Sequence, residues 1–159
     1  MMRWIGRLVG FVLVALGVIG VVFVVGMRTK SPLVLDNIRR FNRGVTNPRV
    51  LKSAGSPGAS ASVIHHVGRT SGRSHATPVG PFAVGDSFVI ALPYGPGADW
   101  VKNVLASGTA TLVHEGSTIP IDRPEVVPLG LVIDDLPVSQ QKVVRVFGVD
   151  ECLRVQRAG

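Results

Sequence analysis

The sequence predicts a mainly β (α+β) fold, a small barrel set behind an N-terminal transmembrane helix. Three observations carry this expectation. Short β-rich runs recur through the second half of the chain, separated by Gly72, Gly85-Asp86 and Glu115-Gly116, and short strands with regular turn signals are how small barrels are written. A single helical pattern, Ala98 to Ala106, interrupts them. Near the amino terminus, Leu8 to Met27 is a run of twenty residues without a charge, about the length a helix needs to cross a hydrocarbon core.

The apolar run comes first in the chain. A cleaved secretory leader would also start with basic residues such as Arg3 and Arg7, but its apolar region is usually roughly 7 to 15 residues long and ends at a small-residue site. Neither condition is met here, so the run reads as a retained anchor. Arg28, Lys30, Arg39, Arg40 and Arg43 on its carboxyl side outweigh Arg3 and Arg7. The positive-inside bias then places the following domain in the cytoplasm, behind a single membrane pass. Cys152 is the sole cysteine, so no internal disulfide forms, in keeping with that compartment. Gly6 and Gly10 have the spacing of a helix-pairing motif, though a glycine-rich apolar helix carries such pairs by chance.

Ser31-Pro32 signals a helix start, with Ser31 at the cap and Pro32 in the first turn. Leu33, Leu35, Ile38 and Phe41 then give an apolar face opposite Arg39, Arg40 and Arg43. Such a helix suits a membrane surface, where a basic residue gains about 1 kcal/mol from anionic headgroups; it equally suits packing on the barrel. Ser53 to Ser60, SAGSPGAS, is the one linker-like stretch. The chain thus divides into an anchor with basic flanks (1–30), an amphipathic helix and linker (31–58) and a β domain (59–159). Within the last, strands are expected over Ala61 to Val67, His75 to Val84, Ser87 to Leu92, Thr109 to His114 and Thr118 to Asp122. Beyond Val127, Leu136 to Phe147 reads as helix and Val149 to Val155 as a returning strand.

The net charge is +7, and its distribution excludes a nucleic-acid binder. Residues 1–52 hold nine basic side chains against Asp36, whereas the remainder holds eight basic and nine acidic. A nucleic-acid interface would spread its bases over the folded face, so membrane lipid is the implied polyanion. His65, His66, His75 and His114 do not make a metal site, because neighbours on a strand point to opposite faces and no metal-ligand spacing accompanies them. Ser71 and Ser74 lack a nucleophile elbow and an acid partner. Gly95-Pro96-Gly97 departs from the dinucleotide fingerprint, since proline interrupts it.

The remaining candidate is the turn Gly68-Arg69-Thr70-Ser71-Gly72-Arg73, between two strand-like runs. Its glycines permit positive φ and close backbone approach, its N–H groups are candidates for an anion-binding nest, and its arginines bring planar donor forks suited to phosphate and carboxylate. Taken alone, it also fits a solvated hairpin tip. Downstream stand Thr77-Pro78, then Ala91-Leu92-Pro93-Tyr94-Gly95, then Trp100-Val101-Lys102-Asn103 and Leu105-Ala106-Ser107-Gly108.

These four ordered blocks, within Phe41 to Val127, resemble the deazaflavin-dependent nitroreductases, a family of split β-barrel reductases that bind coenzyme F420. The resemblance implies a split β-barrel and a cofactor held by its phosphate and polyglutamate tail at Arg69, Thr70, Ser71, Gly72 and Arg73. It implies ring contacts at Thr77, Pro78 and Val79, with His75, Pro93, Tyr94, Gly95, Trp100 and Asn103 around the same site. Trp100 also suits the core, and Asn103 also suits a loop cap. Many members carry Lys at the position of Thr70 and Arg at that of His75, so the resemblance implies here either a weaker anion grip or one that leans on Arg73, with lower cofactor affinity and an unchanged fold. The activity implied is hydride transfer from the reduced deazaflavin to a quinone, enone or nitroaromatic, with Tyr94 and Thr77 as hydrogen-bond donors near ring or acceptor. A membrane anchor directs attention to a membrane quinone. Flavin mononucleotide in the same barrel, and a non-catalytic deazaflavin binder, are the alternative readings; the sequence leaves oligomerisation open.

Overall fold

A computed structural model describes residues 2–159, with side chains from Phe11 onward. The side chains of Arg3, Arg7, Gly6 and Gly10 lie outside that range. Helix α1 runs Met2–Arg28 and is followed by α2 (Pro32–Phe41), a π-helical turn (Asn42–Thr46) and α3 (Asn47–Val50). Then come β1 (Ser62–Val67), β2 (Ser74–Val79), β3 (Pro81–Val84), β4 (Ser87–Ala91), α4 (Asp99–Ser107), β5 (Thr109–His114), β6 (Ser117–Pro128), two 3-10 turns, α5 (Val138–Val146) and β7 (Glu151–Arg157). The class is mainly β (α+β), as the sequence predicts.

All seven strands form one antiparallel sheet in the order β2-β1-β5-β6-β7-β4-β3. Its two edge strands, β2 and β3, are consecutive in the chain and separated by Gly80 alone. The sheet must therefore curl until its edges meet at that residue, which gives a half-barrel. The run His75 to Val84, expected as one strand, is divided there, and proline explains where. Pro78 and Pro81 cannot donate to a ladder and are confined to edges and strand starts. The expected strand Thr118 to Asp122 is instead the longer β6, which continues through a bulge between Asp122 and Glu125, with Arg123 at φ 48°; Pro124 sits inside that irregularity.

The concave face buries Ile64, Phe88, Ile90, Leu112, Ile121, Leu153 and Val155, and α4 inserts Val101 and Val104 among them. Gly108, at φ 72°, ends α4 in the left-handed conformation that favours glycine. The convex face of β4 and β7 carries Val89, Cys152 and their neighbours beneath α5 and the 3-10 turns.

Helix α1 is long and apolar enough to cross a membrane, with mean hydropathy 2.5 over Phe11–Arg28 and 11% of that window buried. Among the described residues, its last turns touch the rest of the chain. Met27 is buried, and Phe23 meets Phe147 edge-on, ring centroids 6.1 Å apart. Gly26 is required here, because a Cβ would stand 2.5 Å from Val34 Cγ2. The basic flank also caps α5. Arg28 Nη1 donates to the Arg145 and Val146 carbonyls at 3.1 and 3.2 Å, and Lys30 Nζ to the Gly148 carbonyl at 2.8 Å. Cations there satisfy carbonyls that the helix leaves unpaired.

Two expectations for the segment 31–58 are corrected. Ser31 occupies the cap position of α2, yet its hydroxyl makes no capping bond. The apolar face is not uniform, since Leu35 is buried whereas Leu33 and Phe41 are exposed. Ser53 to Ser60 is mostly exposed, with Gly55 buried and both glycines hydrogen-bonded to neighbouring backbone or side chain. Gly55 N–H donates to the Ala61 carbonyl at 2.8 Å and its own carbonyl accepts from Gly116 N–H at 2.6 Å; Gly58 N–H donates to Glu115 Oε2 at 2.8 Å. Gly55 is buried at φ +83° with the Val113 carbonyl 3.1 Å from where a Cβ would stand. Backbone crowding, not flexibility, explains this glycine.

Candidate functional site at the glycine-arginine turn

The β1–β2 hairpin projects the turn Gly68–Arg73 beside the first turns of α4. Gly72 takes φ +65°, which admits the chain reversal, and a Cβ on Gly68 would lie 2.5 Å from Ser71 Oγ and 3.0 Å from His75 Nε2. The turn is closed internally. Gly68 N–H donates to the Arg73 carbonyl and Gly72 N–H to the Gly68 carbonyl, both at 2.8 Å. Arg73 N–H reaches Ser71 Oγ at 3.3 Å, and Arg69 N–H reaches Asn103 Oδ1 at 3.1 Å. The expected nest of free N–H groups is therefore not formed, because four of its amides already have acceptors.

Asn103 is the residue on which the site converges. It is 6% exposed, and its Oδ1 also accepts from Arg69 Nη1 at 2.9 Å. Its Nδ2 lies 3.2 Å from Nδ1 of His66, and His66 Nε2 lies 3.1 Å from Thr77 Oγ1. The Gly-Arg turn and the Thr77-Pro78 strand of one hairpin thus meet the Trp100–Asn103 helix, about thirty residues on in the sequence. His66 is itself buried and stacks on His75, centroids 5.6 Å apart. Burial first, then the charges of His75 and His65, push its pKa down to about 4, so the ring is neutral near pH 7.

The two arginines of the turn differ. Arg69 is spent on the protein, its Nη2 donating to Asp99 Oδ1 at 3.2 Å and its Nη1 reaching the Asp99 carbonyl at 3.4 Å. Arg73 is exposed and its guanidinium has no partner among the described residues. Thr70, Ser71 and His75 are exposed beside it, and Thr77 and Pro78 are half-buried, with Val79 buried at the foot of β2. Trp100 packs against the core.

Pro93, Tyr94 and Gly95 follow β4 and belong to a second group, tied to α2 and the π-helical turn. Tyr94 hydroxyl accepts from Asn42 Nδ2 at 2.8 Å, and its carbonyl accepts from Arg39 Nη2 at 2.7 Å. Arg39, placed by the sequence on the outer face of its helix, instead turns toward Tyr94. Asp99 joins the groups, pairing with Arg69 at 3.2 Å and Arg43 at 3.5 Å. Pro93 also lines an open groove of about 390 Å³ at the Gly80 bend, with Phe82, Phe147, Gln140 and the Ser62–His114 pair. No cluster of metal-ligating side chains occurs among the described residues. Buried Cys152, pushed up to about 11 by desolvation, is no nucleophile.

Sequence reasoning missed His66, Asp99 and Asn42. His66 stands five residues before Ser71, but pairing it with Thr77 requires the strand register, in which His66 faces His75 and Ile64 faces Thr77. Asp99 opens α4, and only the docking of that helix on the turn brings it to Arg69.

No protein-family model matches the sequence, and no curated protein matches it. Solved structures are similar at low identity. An F420-H2 dependent reductase shares 15% identity at TM-score 0.45, covering 61% of this chain and 94% of its own. The heme storage protein HutZ of Vibrio cholerae shares 10% at TM-score 0.49, covering 70% and 89%. An FAD-binding protein of Mesorhizobium loti shares 13% at TM-score 0.44, covering 70% and 85%.

Proposed function

We propose that the chain is a membrane-anchored, cytoplasm-facing split-barrel oxidoreductase that uses a reduced deazaflavin, coenzyme F420, to reduce a quinone, enone or nitroaromatic. The observation that supports it is the convergence on Asn103. Three of the four blocks that carry the family resemblance are gathered by hydrogen bonds, with Arg69 donating to Asn103, Asn103 to His66 and His66 bonded to Thr77. A solvated hairpin tip would need no such lock.

The residues present fit an anionic ring cofactor. Arg73, with the Thr70 and Ser71 hydroxyls, would hold the acidic tail, because Arg73 is the turn's uncommitted cation. Thr77, Pro78 and Val79 would line the ring. Arg69 has a different task, fixing the turn on α4. The bound cofactor supplies the hydride, so the protein orients the ring, excludes water and steadies charge developing on the acceptor. Tyr94 suits the last role, since its oxygen accepts from Asn42 and leaves its own proton to donate. The α1 anchor brings the site to the membrane surface, which supports a lipid-soluble acceptor.

The test is a titration of the full-length protein in detergent micelles with deazaflavin and, separately, with flavin mononucleotide, read by fluorescence quenching. Reduction of menadione by the reduced deazaflavin is then followed. Saturable deazaflavin binding with turnover is expected. Turnover with flavin mononucleotide alone would replace the cofactor, binding without turnover would make the chain a carrier, and binding of neither would end the reading.

A further inference from the structure

We infer that His66 is a positioning residue that commits the Thr77 hydroxyl to donating, so that the ligand must present a hydrogen-bond acceptor, a carbonyl or anionic oxygen, at that point. The inference rests on the reading of β2 as a ligand-binding strand.

The chain of donors and acceptors leaves one arrangement. A backbone N–H and a guanidinium can only donate, and both the Arg69 N–H and Arg69 Nη1 point at one atom of Asn103, at 3.1 and 2.9 Å. That atom has to be the amide oxygen. The amide nitrogen then faces His66 Nδ1 at 3.2 Å, and an amide nitrogen also only donates. Nδ1 must accept, so it carries no proton. Neutral imidazole has one proton, which therefore sits on Nε2, directed at Thr77 Oγ1 3.1 Å away. Threonine oxygen receives this bond, and no other described residue takes up its hydroxyl proton. Thr77 is half-buried on an edge strand, with that proton left to offer outward. A hydroxyl ordinarily chooses between donating and accepting; here Arg69, three hydrogen bonds back along the network, has made the choice.

The arrangement has an anchor at each end. Asp99 holds Arg69 from the other side at 3.2 Å, and the His75 ring stacks against His66, centroids 5.6 Å apart.

Asn103→Asp is the informative change. The carboxylate keeps the shape and still accepts from Arg69, but it has no N–H for His66. His66 Nδ1 must then carry the proton, Nε2 must accept, and Thr77 must turn its hydroxyl inward. Long-range proton–nitrogen NMR on nitrogen-15-labelled full-length protein in micelles, at about pH 8 and so well above the ordinary imidazole range, reads the tautomer directly. The Nε2–H form is expected for the wild type and the Nδ1–H form for Asn103→Asp. Deazaflavin affinity should fall about tenfold in Asn103→Asp and in Thr77→Val, one hydrogen bond's worth, and be kept in Thr77→Ser. A wild-type His66 in the Nδ1–H or charged form overturns the relay. So does a reversed tautomer with unchanged affinity where Arg73→Ala still weakens binding, since the site would then be right and the relay wrong. If the wild type binds no deazaflavin, the functional reading fails together with the ligand role of Thr77, while the tautomer still decides the relay.

Discussion

Replacing each turn arginine by alanine should separate stability from binding. Arg69 makes one charged hydrogen bond to a buried acceptor, Asn103 Oδ1 at 2.9 Å, and such bonds contribute about 1.5 to 3 kcal/mol. Its ion pair with Asp99 is between side chains 35% and 62% exposed, so solvent screening leaves it about 0 to 1 kcal/mol. Because Asn103 keeps its backbone donor from Arg69, the lower part of the range applies, about 2 kcal/mol in all. For a chain of this size that corresponds to a drop in melting temperature of roughly 4 to 8 °C. Arg73 has no such partner, and Arg73→Ala should change stability by less than about 0.5 kcal/mol while weakening an anionic ligand about tenfold. Thermal unfolding of full-length protein in micelles, alongside deazaflavin titration, measures both. An Arg69→Ala protein as stable as the wild type would refute the assigned lock, and an Arg73→Ala protein with undiminished affinity would refute the tail site.

Two further outcomes follow from the same contacts. His66 has a folded-state pKa of about 4 against an ordinary 6.5, so the unfolded chain binds the proton more readily and stability falls as pH drops. The contribution is complete above about pH 6.5, on the order of 2 to 3 kcal/mol, and is lost toward pH 4; urea unfolding at several pH values should show this slope, and His66→Gln should flatten it. A chain beginning at residue 31 should stay soluble and keep its barrel, yet lose the Arg28 and Lys30 caps on α5. Faster amide exchange confined to the carboxyl end of α5 is expected, and unchanged exchange there would show that the caps contribute nothing.

Strand and helix identities were largely legible because their signals are local. Ser62–Val67, Thr109–His114 and Asp99–Ser107 fall within a residue or so of expectation, where β-branched alternation or a glycine stop marks each end. What escaped depended on contacts distant in sequence. The division of His75 to Val84 at Gly80 follows from edge pairing, although Pro78 and Pro81 could have disclosed it. SAGSPGAS reads as a linker by composition, but Gly55 sits at φ +83° with Val113 Cγ1 2.7 Å and its carbonyl 3.1 Å from where a Cβ would stand, so that a side chain would not fit. At the turn, arginine, threonine and asparagine stand out in the sequence as residue types, while the partition between Arg69, tied to the protein, and Arg73, without a partner among the described residues, does not. That partition is set by Asp99 and His66, whose proximity only the register and the docking of α4 create.

The same distinction alters the electrostatic argument for the membrane. Nine basic residues in 1–52 suggest a surface held on anionic lipid. Four of them have protein partners: Arg28 and Lys30 on the end of α5, Arg39 on the Tyr94 carbonyl and Arg43 on Asp99. Arg40, Arg49 and Lys52 remain exposed with no partner among the described residues, enough for about 3 kcal/mol of headgroup attraction at about 1 kcal/mol each. A single apolar helix of twenty uncharged residues outweighs that several-fold at about 0.8 kcal/mol per buried methylene. The anchoring proposal therefore stands on α1, and the basic cluster serves mainly to tie α1 and α2 to the barrel, with Asp99 pairing both Arg43 and Arg69 of the glycine-arginine turn.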